Sequence, residues 1–333
     1  MYSEALSARQ KIFAVAPMMD WTDRHCRYFH RLLTKQALLY TEMVVADALI
    51  HGDVARHLDY HDCEHPVALQ LGGSDPDKLA QAVEIAAPWG YDEINLNVGC
   101  PSDRVQSGTF GACLMKTPDL VADCVQAMKA VSDVAVTVKC RLGVDDQDTE
   151  TALDDLADRV LEAGCDALWI HARKAWLQGL SPKENRDIPP LDYDRVKRLK
   201  QRLPNVFIGI NGGIIDLDTC SELLAELDGV MLGRAAYQQP SLLTGVDEAI
   251  YGQACEVDLE QVCQAMMDYT ARHVAQGGRV HHVTRHMIGL FQGLPGARRF
   301  RQILTVEGAK PDADEMIIAR AFDAVSAVAT RAA

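Results

Sequence analysis

The sequence predicts an α/β fold, a (β/α)8 TIM barrel with an all-helical domain appended at its C-terminus. Three observations carry this. Eight short apolar runs of strand length recur between residues 12 and 233. Segments with helical spacing separate them. Near residue 245 the strand-like runs stop, and only helical spacing follows. Alternating β and α units build a parallel sheet, and eight of them fit a closed barrel. A doubly wound open sheet is the rival, but no G-x-G-x-x-G follows the first run.

In order the runs are I-F-A-V-A-P from 12, L-L-Y-T-E-M from 38, P-V-A-L-Q-L from 66 and E-I-N-L-N-V from 93. V-A-V-T-V-K from 134, D-A-L-W-I-H from 166, V-F-I-G-I-N from 206 and D-G-V-M-L-G from 228 complete the set. They are aliphatic and β-branched, as parallel strands are. Between them, D-P-D-K-L-A-Q-A-V-E-I-A-A from 75 has a proline near its start, where a helix tolerates one. P-D-L-V-A-D-C-V-Q-A-M-K-A-V from 118 is a second such segment. Later helices are expected over 257–276, 280–292, 295–306 and 312–331, punctuated by G-G at 277 and L-P-G at 294. The expected domains are 1–245 and 246–333.

The chain has 333 residues, 48% hydrophobic and 24% charged, enough for a large core. Mean hydropathy is −0.08. No apolar run approaches the roughly 20 residues of a membrane span. The N-terminal M-Y-S-E-A-L-S-A-R-Q-K lacks the apolar centre of a signal peptide. A soluble, cytoplasmic protein with no membrane contact is expected. The ten cysteines form no C-x-x-C pair, and no His/Cys cluster has metal-ligand spacing. Neither disulfides nor a metal are expected, and each cysteine first reads as a small buried hydrophobe.

Net charge is −14, which argues against indiscriminate nucleic-acid binding. The charge is uneven, however. Residues 269–306 hold six arginines, four histidines and no acid, whereas 145–158 holds seven acids. A localised contact with a polyanion and a solvated basic helix face both explain such a segment.

In a barrel, chemistry sits at the C-terminal strand ends. Here those ends supply Pro17-Met18-Met19, Gln70, Asn95 and Asn97 followed by Cys100, then Lys139-Cys140-Arg141. His171-Ala172-Arg173, Asn211-Gly212-Gly213 and Gly233-Arg234 follow. A lone lysine at a strand end is usually a solvated terminus, and a lone histidine a satisfied core group. Several polar ends on one rim are not explained that way. The glycines after runs seven and eight let a phosphate approach the main chain, and Arg234 adds a charge-assisted contact. The rim lacks the carboxylate and histidine cluster of a divalent-metal hydrolase. Lys139 with His171 suits an electron-rich carbonyl, and Met18 with Met19 suits a flat ring. A Schiff base on Lys139 is the alternative, but it explains neither Cys100 nor the basic segment.

Seven stretches resemble the tRNA-dihydrouridine synthases, in particular their A type. They are A-P-M-M-D-W-T-D (16–23), L-Y-T-E-M (39–43), L-N-V-G-C-P-S-D-R-V (96–105), V-K-C-R-L-G (138–143), I-H-A-R (170–173), N-G-G-I (211–214) and M-L-G-R-A-A (231–236). G-A-C-L-M-K (111–116) also matches in order. The resemblance implies an FMN enzyme that reduces specific uridines in the tRNA D-loop, with NADPH, or NADH, as electron source. It implies FMN contacts from Pro17, Met18, Met19, Gln70, Lys139, His171, Asn211, Gly212, Gly213, Gly233 and Arg234. It makes Cys100 the catalytic residue. A thiol is mostly protonated at neutral pH, so Cys100 is expected to give a proton to uracil carbon 5 after hydride reaches carbon 6.

The resemblance further implies tRNA contacts from Asn97, Arg141, Lys183, Arg186, Arg299 and Gln302, and a tRNA-binding role for 246–333. In R-R-F-R-Q-I-L, Phe300, Ile303 and Leu304 share one helix face, leaving Arg298, Arg299, Arg301 and Gln302 outside. A monomer is expected. A dihydroorotate dehydrogenase-like enzyme would not need this basic segment. A pure RNA-binding protein would not need Cys100, Lys139 and His171.

Overall fold

Eight parallel strands close into one barrel in chain order, with the last paired to the first. They are β1 (Ile12–Val15), β2 (Leu38–Val45), β3 (Val67–Gly72), β4 (Glu93–Val98), β5 (Ala135–Arg141), β6 (Ala167–His171), β7 (Phe207–Asn211) and β8 (Gly229–Leu232). Each falls on one of the eight apolar runs. The structure, a computed structural model, describes residues 1–102, 110–253 and 256–332, with side chains as far as residue 325. Residues 103–105 of the third resembling stretch, and Cys255, lie outside the described residues.

Side chains alternate along a strand, so each strand has a barrel-facing and a helix-facing set. Leu69, Leu71, Ile94, Leu96, Val136, Val138, Leu168, Ile170, Ile208 and Ile210 belong to the main core against the outer helices. The other set fills the barrel. Trp169 is the largest side chain there, and β7 and β8 make room for it. A Cβ on Gly209 would stand 2.2 Å from the indole, and one on Gly229 2.7 Å from it. Below lies a helix for which no element was expected, Tyr2–Ala8; Tyr2 and Ala5 join the barrel-interior cluster.

Aspartates start many of the outer helices. Asp23, Asp75, Asp148, Asp192, Asp216 and Asp258 each accept a backbone N–H from the first turn that follows. The acidic run 145–158 has a structural use too. Asp148 caps helix Thr149–Glu162, while Glu150, Asp154 and Asp158 pair with Arg195, Arg198 and Arg202 of helix Tyr193–Arg202.

The C-terminal helices are Leu259–Ala275, Val280–Thr284, Ala297–Gln302 running into a π-turn at Ile303–Glu307, and Met316–Ala332. The helix expected over 280–292 therefore stops early. Gly289 lies so close to Gln238 that a Cβ would sit 2.1 Å from its carbonyl oxygen, and turns fit that approach. Phe291, Phe300 and Phe322 pack edge to face at the centre of these helices. They dock on helix Arg24–Leu33, which follows β1: Tyr269 stacks on Tyr28 at 4.1 Å, and Arg285 donates to Asp23 at 2.6 Å. No described helix is long and apolar enough to cross a membrane.

Candidate active site

The strand ends bring Cys100, Lys139, His171, Asn211 and the two glycine turns to one rim. Cys100 follows β4 and is half-buried. Its loop is set by Asn97, whose Oδ1 accepts the backbone N–H of Gly99 at 3.1 Å and of Cys100 at 3.0 Å. Asn97 Nδ2 donates to Gln70 Oε1 at 2.7 Å. The Cys100 thiol donates to Ser102 Oγ at 3.6 Å. Gln70 itself is only 1% exposed, deeper in the barrel than a rim position.

Lys139 of β5 donates to Asn211 Oδ1 at 3.1 Å, and Asn211 Nδ2 donates to the Met231 carbonyl at 2.7 Å. One side chain thus ties the ammonium to β8. Burial, then the charge of Arg141, brings the Lys139 ammonium down to about 8. His171 is buried as well; desolvation and the nearby charges of Arg141, Lys139, Arg173 and Arg186 hold its pKa well below the usual histidine range. Its imidazole is neutral at neutral pH.

Gly212 and Gly213 have φ of 115° and 70°, a region that favours glycine. A Cβ on Gly212 would strike the His171 ring at 2.4 Å, and one on Gly213 would strike Leu191 at the same distance. Tyr193 fixes the turn by donating to the Gly212 carbonyl at 2.7 Å. Gly233 differs. Its φ is −105°, and a Cβ there would meet only Met18 Sδ at 3.5 Å and the Ala16 Cβ at 3.7 Å. A methyl would fit beside Gly233 in ordinary van der Waals contact. Met18 lies opposite, its N–H bonded to Thr22 Oγ1 at 2.9 Å, with Pro17 half-buried and Met19 exposed.

Cations gather at this edge. Arg173 and Arg186 both feel the charge of Arg234, and Asp187 takes a 2.7 Å hydrogen bond from Arg234. Arg173 donates to the Pro189 carbonyl, yet its Nε is buried with no partner among the described residues. Lys139, Arg141 and Arg186 also all lie within electrostatic range of the Cys100 sulfur.

Arg141 is 3% exposed, and three backbone carbonyls hold it: Gly99 at 2.9 Å, Lys174 at 3.0 Å and Asn185 at 2.8 Å. It braces the Cys100 loop against the loop after β6. The buried Asn185 orders that second loop, accepting the Trp176 N–H and donating to the carbonyls of Trp176 and Leu180. Lys183 and Arg186 stand exposed on it. In the tail, Phe300, Ile303 and Leu304 are buried while Arg298, Arg299, Arg301 and Gln302 are exposed. Arg299 is paired with Glu307 at 3.0 Å, and Arg285 with Asp23. These acids lie outside 269–306, so the segment is less free in charge than its sequence suggests. Asn97, Arg141, Lys183 and Arg186 belong to the rim; Arg299 and Gln302 belong to the tail.

Sequence reasoning passed over Arg173 as an anion donor, and Tyr193 and Asn185 as loop supports. Arg173 stood at a strand end and offered a signal; Tyr193, at the start of a helix, and Asn185, in a short helical turn, offered none.

A closed (β/α)8 barrel here carries a thiol, a lysine, a neutral imidazole and a cationic glycine edge at its mouth, the build of an enzyme. The dihydrouridine synthase family model matches residues 14–326. The chain belongs to the dihydrouridine synthases, a family of oxidoreductases. It is 55% identical over 316 residues to the tRNA-dihydrouridine(20/20a) synthase of Shewanella oneidensis, covering 95% of this chain and 94% of that one. It is 55% identical to that of Salmonella typhimurium over 97% of both chains. The Escherichia coli K12 enzyme of that name is 55% identical over 94% of this chain and 91% of its own.

Proposed function

We propose that this enzyme reduces specific uridines in the tRNA D-loop to 5,6-dihydrouridine, in the cytoplasm, with FMN on the barrel rim and NADPH, or NADH, as reductant. The observation that carries this is Cys100 held at the same mouth as Lys139, His171 and the cationic glycine edge, in a chain 55% identical to tRNA-dihydrouridine(20/20a) synthases.

The residues present fit FMN. The space beside Gly233, the partnerless Nε of Arg173 and three clustered arginines suit a phosphate. Pro17, Met18 and Met19 would flank the ring, and Gln70, Lys139, His171 and Asn211 would hold its polar edge. Gly212, Gly213, Gly233 and Arg234 would hold the phosphate. Bound FMN supplies a hydride for uracil carbon 6.

Cys100 gives the proton that completes the reduction at carbon 5. The sulfur left behind is negative, and Lys139, Arg141 and Arg186 surround it with positive charge. Solvent then restores the thiol. Asn97 keeps the thiol's backbone in place and faces the base. Lys183 and Arg186, and Arg299 and Gln302 on the helical domain 246–333, contact the tRNA; Arg141 contributes by bracing the mouth. The target uridine leaves its stack to enter.

The test is direct. Purified protein should be yellow, release FMN and form dihydrouridine in unmodified tRNA when given NADPH. Protein that takes up no FMN overturns the reading.

A further inference from the structure

A buried acid below the site has no part in the chemistry above. Glu93 opens β4, is 0% exposed, and has no cationic partner among the described residues. Three hydroxyls serve it instead. Tyr2 donates at 2.6 Å, Tyr40 at 2.5 Å, and Thr137 donates to the same oxygen as Tyr40. Burial lifts its carboxyl to about 7, partly opposed by these three donors. An acid buried this way is costly unless its hydrogen bonds are complete.

Thr137 leads onward. Its Oγ accepts from Asn95 Nδ2 at 2.7 Å, and Asn95 Oδ1 accepts from Gln70 Nε2 at 2.7 Å. Gln70 Oε1 accepts from Asn97 Nδ2, and Asn97 Oδ1 accepts the N–H groups of Gly99 and Cys100. Every donor in this chain points down the barrel towards Glu93. The direction is not arbitrary. When ionised, Glu93 only accepts, so Thr137 then donates to it and offers a lone pair to Asn95. That choice fixes which end of each amide is oxygen, at Asn95, then Gln70, then Asn97. Hydrogen bonds in series polarise one another, which strengthens the bias.

We propose that Glu93 is a positioning residue: from the barrel floor it sets the orientation of the Asn95–Gln70–Asn97 amides and so places the Cys100 loop at the mouth. The inference rests on the reading of Cys100 as proton donor, but its alkylation arm does not depend on tRNA activity.

The experiment compares Glu93→Gln, Thr137→Val and the double variant with the parent holoenzyme. Thr137→Val leaves Tyr2 and Tyr40 on the acid but cuts the chain. Each variant should lower kcat on tRNA by about tenfold with KM within about threefold, because placement rather than binding is lost. The double variant should be no worse than either single, since both break one chain. In FMN-free protein, iodoacetamide labelling followed by peptide mass spectrometry should show the Cys100 rate changed at least about threefold, with Cys63 and Cys113 unchanged. Should Glu93→Gln fail to fold, Thr137→Val carries both readouts. Losses that multiply in the double variant, or an unchanged kcat and Cys100 rate in folded Thr137→Val, overturn the proposal. An inactive parent with altered Cys100 labelling in the variants overturns the tRNA reading and leaves the positioning role standing.

Discussion

Asn97 Oδ1 takes two backbone N–H groups at once, from Gly99 at 3.1 Å and from Cys100 at 3.0 Å. One side chain therefore holds the backbone of both residues at the thiol, alongside the grip of Arg141 on the Gly99 carbonyl. Asn97→Ala leaves both N–H groups unpartnered and frees the loop, so kcat/KM on tRNA should fall about 100-fold. Asn97→Asp keeps the acceptor for both N–H groups but sets an oxygen against Gln70 Oε1, so it should retain more activity than Asn97→Ala while staying below the parent. Steady-state kinetics on unmodified tRNA check the order; equal activities would remove the loop-setting role.

Cys100→Ala removes the proton donor and nothing that would hold FMN. It should stay yellow and lose turnover by about 10²–10⁴-fold. Flavin content by absorbance and dihydrouridine by mass spectrometry separate the two effects. Full turnover in this variant would end the donor assignment.

Lys139 titrates near neutrality because burial and Arg141 bring it down to about 8. Below that pH the ammonium is charged and would hold the electron-rich edge of a bound flavin; above it the charge is gone. FMN affinity of the apo protein should fall as pH rises through about 8 and on to 9. Lys139→Met should bind FMN more weakly and lose that fall. Fluorescence titration across pH 7–9 reads both.

Two glycines separate folding from binding. A methyl at Gly209 would sit 2.2 Å from Trp169, so Gly209→Ala should destabilise the protein by about 1–3 kcal/mol. A methyl at Gly233 meets only ordinary contacts, so Gly233→Ala should keep its Tm. It would fill the space assigned to the phosphate and weaken FMN binding. A Tm lowered as much at Gly233 as at Gly209 would contradict this.

In the tail, Arg299→Ala with Arg301→Ala should weaken tRNA binding and lower its salt slope by about two. Glu307 holds Arg299 at 3.0 Å and also pairs with Arg320. Glu307→Gln frees both and should tighten binding. Filter binding across salt concentrations measures each; an unchanged slope in the double variant would make this face a solvated one.

The barrel was legible because each strand carries its own apolar run, and periodicity is a local property. The rim was legible for the same reason: Lys139, His171 and Asn211 end such runs. What eluded the sequence is pairing across long separations. Nothing near Arg141 says that it will bind carbonyls at 99, 174 and 185, and nothing near Met1 says that Tyr2 will reach Glu93. The helix expected over 280–292 failed likewise, since the approach of Gly289 to Gln238 is a tertiary fact. The basic segment misled in charge because its partners, Asp23 and Glu307, lie outside it.

Arg141 grips carbonyl oxygens, which every amino acid carries. Its hold on the chain at 99, 174 and 185 is therefore indifferent to which side chains stand there. The exposed positions Lys183 and Arg186 can therefore change, provided Asn185 still orders their loop, while the thiol keeps its address. Such a joint allows selectivity to diverge among descendants of one barrel without each having to reinvent the catalyst.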